Sequence, residues 1–64
     1  MDNNLKNLRK LKKVRQNDLG DALSVSRQTI NSIENGKFEP SLALAMKLTR
    51  YFGVSLEEIF IYKD

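Results

Sequence analysis

The stretch Gln16-Asn17-Asp18-Leu19-Gly20-Asp21-Ala22-Leu23-Ser24-Val25-Ser26-Arg27-Gln28-Thr29-Ile30-Asn31-Ser32-Ile33-Glu34-Asn35 decides the fold. Leu19 and Leu23 stand four apart, and Asp18 near the start complements the positive end of a helix macrodipole, so a helix is expected over about Gln16 to Leu23. Its cap position holds Arg15, which has no acceptor for the orphan amides of a first turn. Ser24 and Val25 then make a tight turn, and Ser26 is a good cap for a second helix running to Asn35. Ile30 and Ile33 are the only large apolar residues of that second helix; Arg27, Gln28, Thr29, Asn31, Ser32, Glu34 and Asn35 are all polar. So narrow an apolar stripe gains little from packing, and its broad polar face implies another use.

Turn signals on either side divide the rest of the chain into helices of similar size. Asn3 or Asn4 can cap a first helix through about Lys13, with Leu5, Leu8 and Leu11 facing a core. Downstream, Gly36 suits a left-handed helix stop, a loop runs through Pro40, and Ser41 caps a helix whose stripe is Leu42, Ala45, Leu48 and Phe52 before Gly53 ends it. Ser55-Leu56-Glu57-Glu58 fits a capping box opening a short fifth helix that carries Leu56, Ile59 and Phe60. The expected architecture is all-α, one domain over residues 1–64 built as a compact bundle of about five short helices around a helix-turn-helix. The tail Ile59-Phe60-Ile61-Tyr62 is too apolar to be wholly solvated.

Composition narrows the function classes. The chain has 64 residues and no Cys, His or Trp, so it has no disulfide and lacks the usual ligands of zinc and other transition metals. Without His or Cys, and with no paired carboxylates set in a cleft by the pattern, a general acid, base or nucleophile has no candidate, and the chain reads as a non-enzyme without metal or cofactor. The first residues lack a signal pattern and the longest apolar run, Leu42 to Met46, is far short of a membrane span; a soluble cytoplasmic protein is expected. The net charge of +3 is modest, but Lys6, Arg9, Lys10, Lys12, Lys13 and Arg15 crowd together with no acid among them, while five of the eight acids lie at Glu34 or later. A molecule positive at one end suits a polyanion.

Two short helices joined by a tight turn, the second polar outside and preceded by a basic segment, meet the requirements of a major-groove reader, since Gln, Arg, Ser and Thr are side chains that reach base edges. Nearly the whole chain also resembles the lambda repressor and Cro type (XRE family) of helix-turn-helix regulators, in particular their small single-domain bacterial members. The resemblance lies in Gln16-x-x-Leu19-Gly20, Val25-Ser26-Arg27-Gln28-Thr29-Ile30, Ile33-Glu34-Asn35-Gly36, Pro40-Ser41-Leu42 and Phe52-Gly53-Val54-Ser55-Leu56-Glu57-Glu58-Ile59-Phe60, in that order and spacing. It implies that Gln16 bonds a backbone phosphate while bracing Gln28, and that Arg27, Gln28, Asn31 and Ser32 read bases. Asn35 and Lys37 would hold the phosphate backbone, Thr29 would touch either a phosphate or a base, and Arg9 would pair with Glu34 in a structural role. It further implies a homodimer on double-stranded DNA with a palindromic operator, for which Ile59, Phe60, Ile61 and Tyr62 are the expected interface. Some members of the type pair short terminal strands, so Ile59 to Tyr62 is alternatively extended.

The chain departs from that pattern at Arg15, Lys13, Ser24 and Gly20, where a hydroxyl cap, two glycines and an alanine respectively are usual. These departures lower stability more than they alter function. A competing reading is a protein-interaction module such as an antitoxin-like component; its signature would be a disordered extension for the partner, which this sequence lacks. No second domain offers a site for a small-molecule effector.

Overall fold

The computed structural model describes residues 1–63, which form five helices: α1 (Leu5–Leu11), α2 (Gln16–Leu23), α3 (Arg27–Glu34), α4 (Leu42–Phe52) and α5 (Leu56–Ile59). Three serines open helices as expected: Ser26, Ser41 and Ser55 accept from the backbone N–H groups of Thr29, Leu44 and Glu58. At α5 the Glu58 carboxylate accepts from the Ser55 hydroxyl at 3.2 Å, tightening that turn. Gly36 and Gly53 sit at φ +72° and +66°, the left-handed stops that end α3 and α4.

The core is one cluster contributed by every helix: Leu5, Leu19, Leu23, Ile30, Ile33, Leu44, Leu48 and Ile59. Two expected stripes are corrected. Leu11 is 81% exposed and Leu42 is 73% exposed. The cause is the same in both, because a strict i, i+3 row drifts about 60° per step around a helix of 3.6 residues per turn. Six residues from Leu5, or from Leu48, the side chain has left the core-facing arc. The buried row of α4 is Leu44, Ala45 and Leu48, backed by half-buried Tyr51 and Phe52. Beyond the end of α1, Val14 is half-buried against the core.

That end comes at Leu11, earlier than Lys13, because Lys13 itself takes φ +60° and turns the chain toward α2. Ser24, between α2 and α3, does the same at φ +60°. Each is an L-residue in a conformation that costs about 1 kcal/mol relative to glycine. Lys13→Gly and Ser24→Gly are therefore each expected to stabilise by about 0.5–1 kcal/mol, net of the added freedom of the unfolded chain. Urea midpoints of the two variants check this; a loss at either site would mean that the side chain contributes more than its backbone costs.

The ends of the chain are tied together. Phe60 lies outside α5 in extended conformation, φ −109° and ψ 135°, and forms an antiparallel bridge with Asn3. Asn4 donates its N–H to the Ile59 carbonyl at 2.7 Å and Ile61 to the Asp2 carbonyl at 2.9 Å. The extended alternative thus holds for Phe60, and the helix expected to carry it stops one residue earlier. Asn4 is the cap position of α1, but the accepting side chain is that of Asn3, whose Oδ1 takes the Leu5 N–H at 3.2 Å. Asn3 also donates through Nδ2 to the Ile33 carbonyl at 2.7 Å, an acceptor at the end of α3 that it shares with the Gly36 N–H at 3.0 Å.

Candidate nucleic-acid interface

The geometry of this surface begins with how closely α2 and α3 approach. A Cβ on Gly20 would come within 2.7 Å of the Val25 carbonyl oxygen, a backbone atom of the turn. Gly20 therefore lets the turn close against α2, and its N-terminal neighbour Leu19 and the following Leu23 pack fully into the core beside Ile30 and Ile33. With its apolar stripe so committed, α3 presents Arg27, Gln28 and Asn31 exposed and Thr29 and Ser32 half-buried. Arg27 has no acidic partner among the described residues. Ser26, Gln28, Thr29, Ser32, Lys37 and Phe38 line a shallow open hollow of about 300 Å³ on this side.

Of the proposed backbone-binding residues, Lys37 and Asn35 are exposed just past α3, where Asn35 donates through Nδ2 to the Asn31 carbonyl at 2.9 Å. The Thr29 hydroxyl is engaged with the Ser26 hydroxyl at 2.9 Å, which fixes its rotamer. Phe38, to which the sequence reading gives no role, is 47% exposed and lines the hollow. An exposed aromatic directly after Gly36-Lys37 was the available signal.

Arg9 and Glu34 pair as the resemblance implied. The guanidinium Nε donates to Glu34 Oε2 at 2.6 Å and Nη2 to Oε1 at 3.3 Å, with the two side chains only 12% and 3% exposed. Nη1 donates to the Val14 carbonyl at 3.0 Å, so the guanidinium also braces the segment after α1. Arg9 is thereby removed from the basic patch. Lys12 lies with Nζ 5.0 Å from the Tyr51 ring centre, a cation–π contact joining the end of α1 to α4.

Gln16 departs from expectation. Its Nε2 donates to Glu34 Oε1 at 3.0 Å and to Asn31 Oδ1 at 3.1 Å, so it braces Asn31 and not Gln28. The reason is electrostatic: the buried Glu34 carboxylate has acceptor capacity left after Arg9, and the carboxamide donor of Gln16 fills it. At the start of α2 Arg15 does not cap. Instead Asp18 reaches back and accepts from both the Arg15 backbone N–H and its Nε at 3.2 Å. The side-chain bond from Arg15, with the backbone bond second, holds the Asp18 carboxyl below its ordinary value of 3.8. This local support is present above the ordinary value and is lost as pH falls through the lowered one.

The expected interface residues divide. Ile59 is fully buried in its own chain and is corrected to a core residue, placed there by the last turn of α5. Phe60 is half-buried, Ile61 is 48% exposed and Tyr62 is 77% exposed. Beside them lies an open apolar groove of about 470 Å³, whose walls include Leu42, Ala45, Leu56, Phe60 and Tyr62. No helix among the described residues is long and apolar enough to cross a membrane.

A short polar helix held rigidly across a second helix by a three-residue turn, with its outer face left open, defines a helix-turn-helix DNA-binding unit. Residues 5–59 match the helix-turn-helix family. The chain is 55% identical over its full length to an uncharacterized HTH-type transcriptional regulator of Methanocaldococcus jannaschii, covering 97% of it. It is 40% identical over 94% of its length to the uncharacterized HTH-type transcriptional regulator YgzD of Bacillus subtilis, covering 91% of that protein. Among solved structures it is similar to the restriction-modification controller protein of Aeromonas hydrophila, with a TM-score of 0.77, 27% identity, and coverage of 88% of this chain and 85% of that one. The chain belongs to the XRE family of helix-turn-helix transcriptional regulators.

Proposed function

We propose that the protein is a sequence-specific, double-stranded-DNA-binding repressor that acts as a homodimer on a palindromic operator, with α3 in the major groove. The observation that carries this reading is the split on α3 between a stripe wholly spent on the core and an outer face of Arg27, Gln28 and Asn31 left exposed. Arg27, Gln28, Asn31 and Ser32 read bases; Thr29, Asn35 and Lys37 hold phosphates, joined by Gln16 through its backbone N–H at the start of α2, since both hydrogens of its side-chain amide are engaged by Glu34 and Asn31. Base contacts supply sequence preference and phosphate contacts supply register and affinity.

The body measures 32 Å along its longest axis and carries one recognition helix. A second helix one DNA turn away, about 34 Å, must come from a second copy. The apolar groove beside α4 and α5, continuous with exposed Ile61 and Tyr62, is the surface assigned to that copy.

Selection of sites from a random duplex library, followed by titration of the best site and a scrambled duplex at two salt concentrations, tests the reading. A palindrome bound at least about 1000-fold more tightly than the scramble is expected. Weak, equal binding to both with only a steep salt dependence would overturn it and turn attention to a protein partner. Replacing Ile61 and Tyr62 together by aspartate is expected to leave the fold intact, because both are exposed, and to halve the mass seen by sedimentation. An unchanged mass would remove these residues from the interface.

A further inference from the structure

Phe38 is an apolar side chain on a polar face, and its neighbours give it a defined place there. The loop after α3 is pinned to that helix, the Gly36 N–H donating to the Ile33 carbonyl and the Lys37 N–H to the Ser32 carbonyl, both at 3.0 Å. Phe38 follows directly, 47% exposed, and lines the hollow that the loop forms with Gln28, Thr29 and Ser32 of α3. The next residue, Glu39, lines the apolar groove beside α4 and α5 instead. Phe38 therefore stands apart from the surface assigned to a second copy, and no carboxylate lines its hollow to repel DNA.

We infer that Phe38 is a specificity-determining residue, contributed by the loop and not by α3, that reads the C5-methyl group of a thymine by apolar contact. The inference rests on the operator-binding function proposed above, which sets base-reading Gln28 and Ser32 on the helix side of the hollow and phosphate-holding Lys37 on the loop side. Across a T·A pair the major groove runs from the thymine methyl through O4 and the adenine N6 to N7, so the methyl lies at the end next to thymine's own backbone. A side chain one residue from a phosphate holder, and across a hollow from base readers, meets that end of the pair. A phenyl ring has no hydrogen-bonding group for O4, N6 or N7, and the methyl is the feature that apolar contact distinguishes. Cytosine presents a bare C5–H at the same point, so the contact favours thymine. Part of the ring surface that is in water in the free protein is then buried against an equally apolar group.

The test replaces each thymine of the selected operator in turn by deoxyuridine, in both half-sites at once, and measures affinity for the wild type, Phe38→Ala and Phe38→Leu. Deoxyuridine pairs as thymidine does and lacks only the methyl. At one thymine in each half-site the wild type is expected to lose about 15-fold, the worth of one buried methyl group in each copy of the chain. Phe38→Ala is expected to bind the thymine and deoxyuridine operators alike, and Phe38→Leu, still apolar, to keep most of the difference. With 5-methylcytosine or cytosine at that position, the wild type is expected to prefer the methylated base, whose methyl occupies the same place, and Phe38→Ala to bind both alike. A wild type indifferent to every deoxyuridine would overturn the inference, whatever the stability of the variants. A thymine preference that survives in Phe38→Ala would also overturn it and assign the methyl to another side chain. Both of these outcomes leave the protein a selective DNA binder. Absence of selective binding by the wild type itself would instead overturn the operator-binding function together with the inference.

Discussion

Arg9→Ala is expected to unfold most of the protein in the absence of DNA. Truncation leaves the Glu34 carboxylate, 3% exposed, with only the Gln16 amide as partner, and it leaves the Val14 carbonyl without the guanidinium donor. Breaking a buried pair from one side costs about 3–5 kcal/mol, because the remaining charge stays desolvated. A domain of this size has about 3–10 kcal/mol of total stability, and Lys13 and Ser24 in left-handed conformations draw it toward the lower end. Far-UV circular dichroism and urea titration read the outcome directly. A loss below about 1 kcal/mol would place the pair with exposed surface ion pairs. The double variant Arg9→Met, Glu34→Leu removes both charges and is expected to be more stable than either single truncation. It also removes the carboxylate that orients Gln16.

The elements that sequence made legible are those fixed by neighbours in the chain. Ser26, Ser41 and Ser55 announce helices because a hydroxyl next to an amphipathic run has a local partner, the amide three residues on. Gly36 and Gly53 end helices because glycine takes the left-handed conformation without steric cost. The polar face of α3 was equally plain, since only Ile30 and Ile33 interrupt it. What sequence could not supply was set by helices meeting in space. Leu11 and Leu42 carry the composition of core residues, but the arcs of α1 and α4 that meet their neighbours are those of Leu5 and Leu48, and six residues away the i, i+3 row has drifted outward. Ile59 and Tyr62 belong to one apolar run, yet the end of α5 falls between them, burying the first and exposing the second. Resemblance pairs Gln16 with Gln28, but a carboxylate 18 positions away takes its amide. Asn3, joining the first residues to the end of α3, gave no local sign of that contact at all.

Gln28→Ala should lower affinity for the selected operator by about 30-fold to about 20,000-fold and leave the affinity for a scrambled duplex unchanged. Gln28 is exposed, so the fold and the two helix caps around it are not at stake. A base contact of this kind discriminates by about 1–3 kcal/mol, and a homodimer on a palindrome makes it twice, so the two losses add to about 2–6 kcal/mol. Lys37→Ala supplies the contrast. A phosphate contact is indifferent to sequence, so its loss should weaken both duplexes alike and reduce the salt slope by about 1 for each copy of the chain. The ratio of the two affinities, measured for both variants across salt, separates the roles without reference to absolute binding strength. If Gln28→Ala weakens both duplexes equally, Gln28 holds the backbone, and base reading on this turn of α3 falls to Arg27, the other exposed side chain at its N-terminal end.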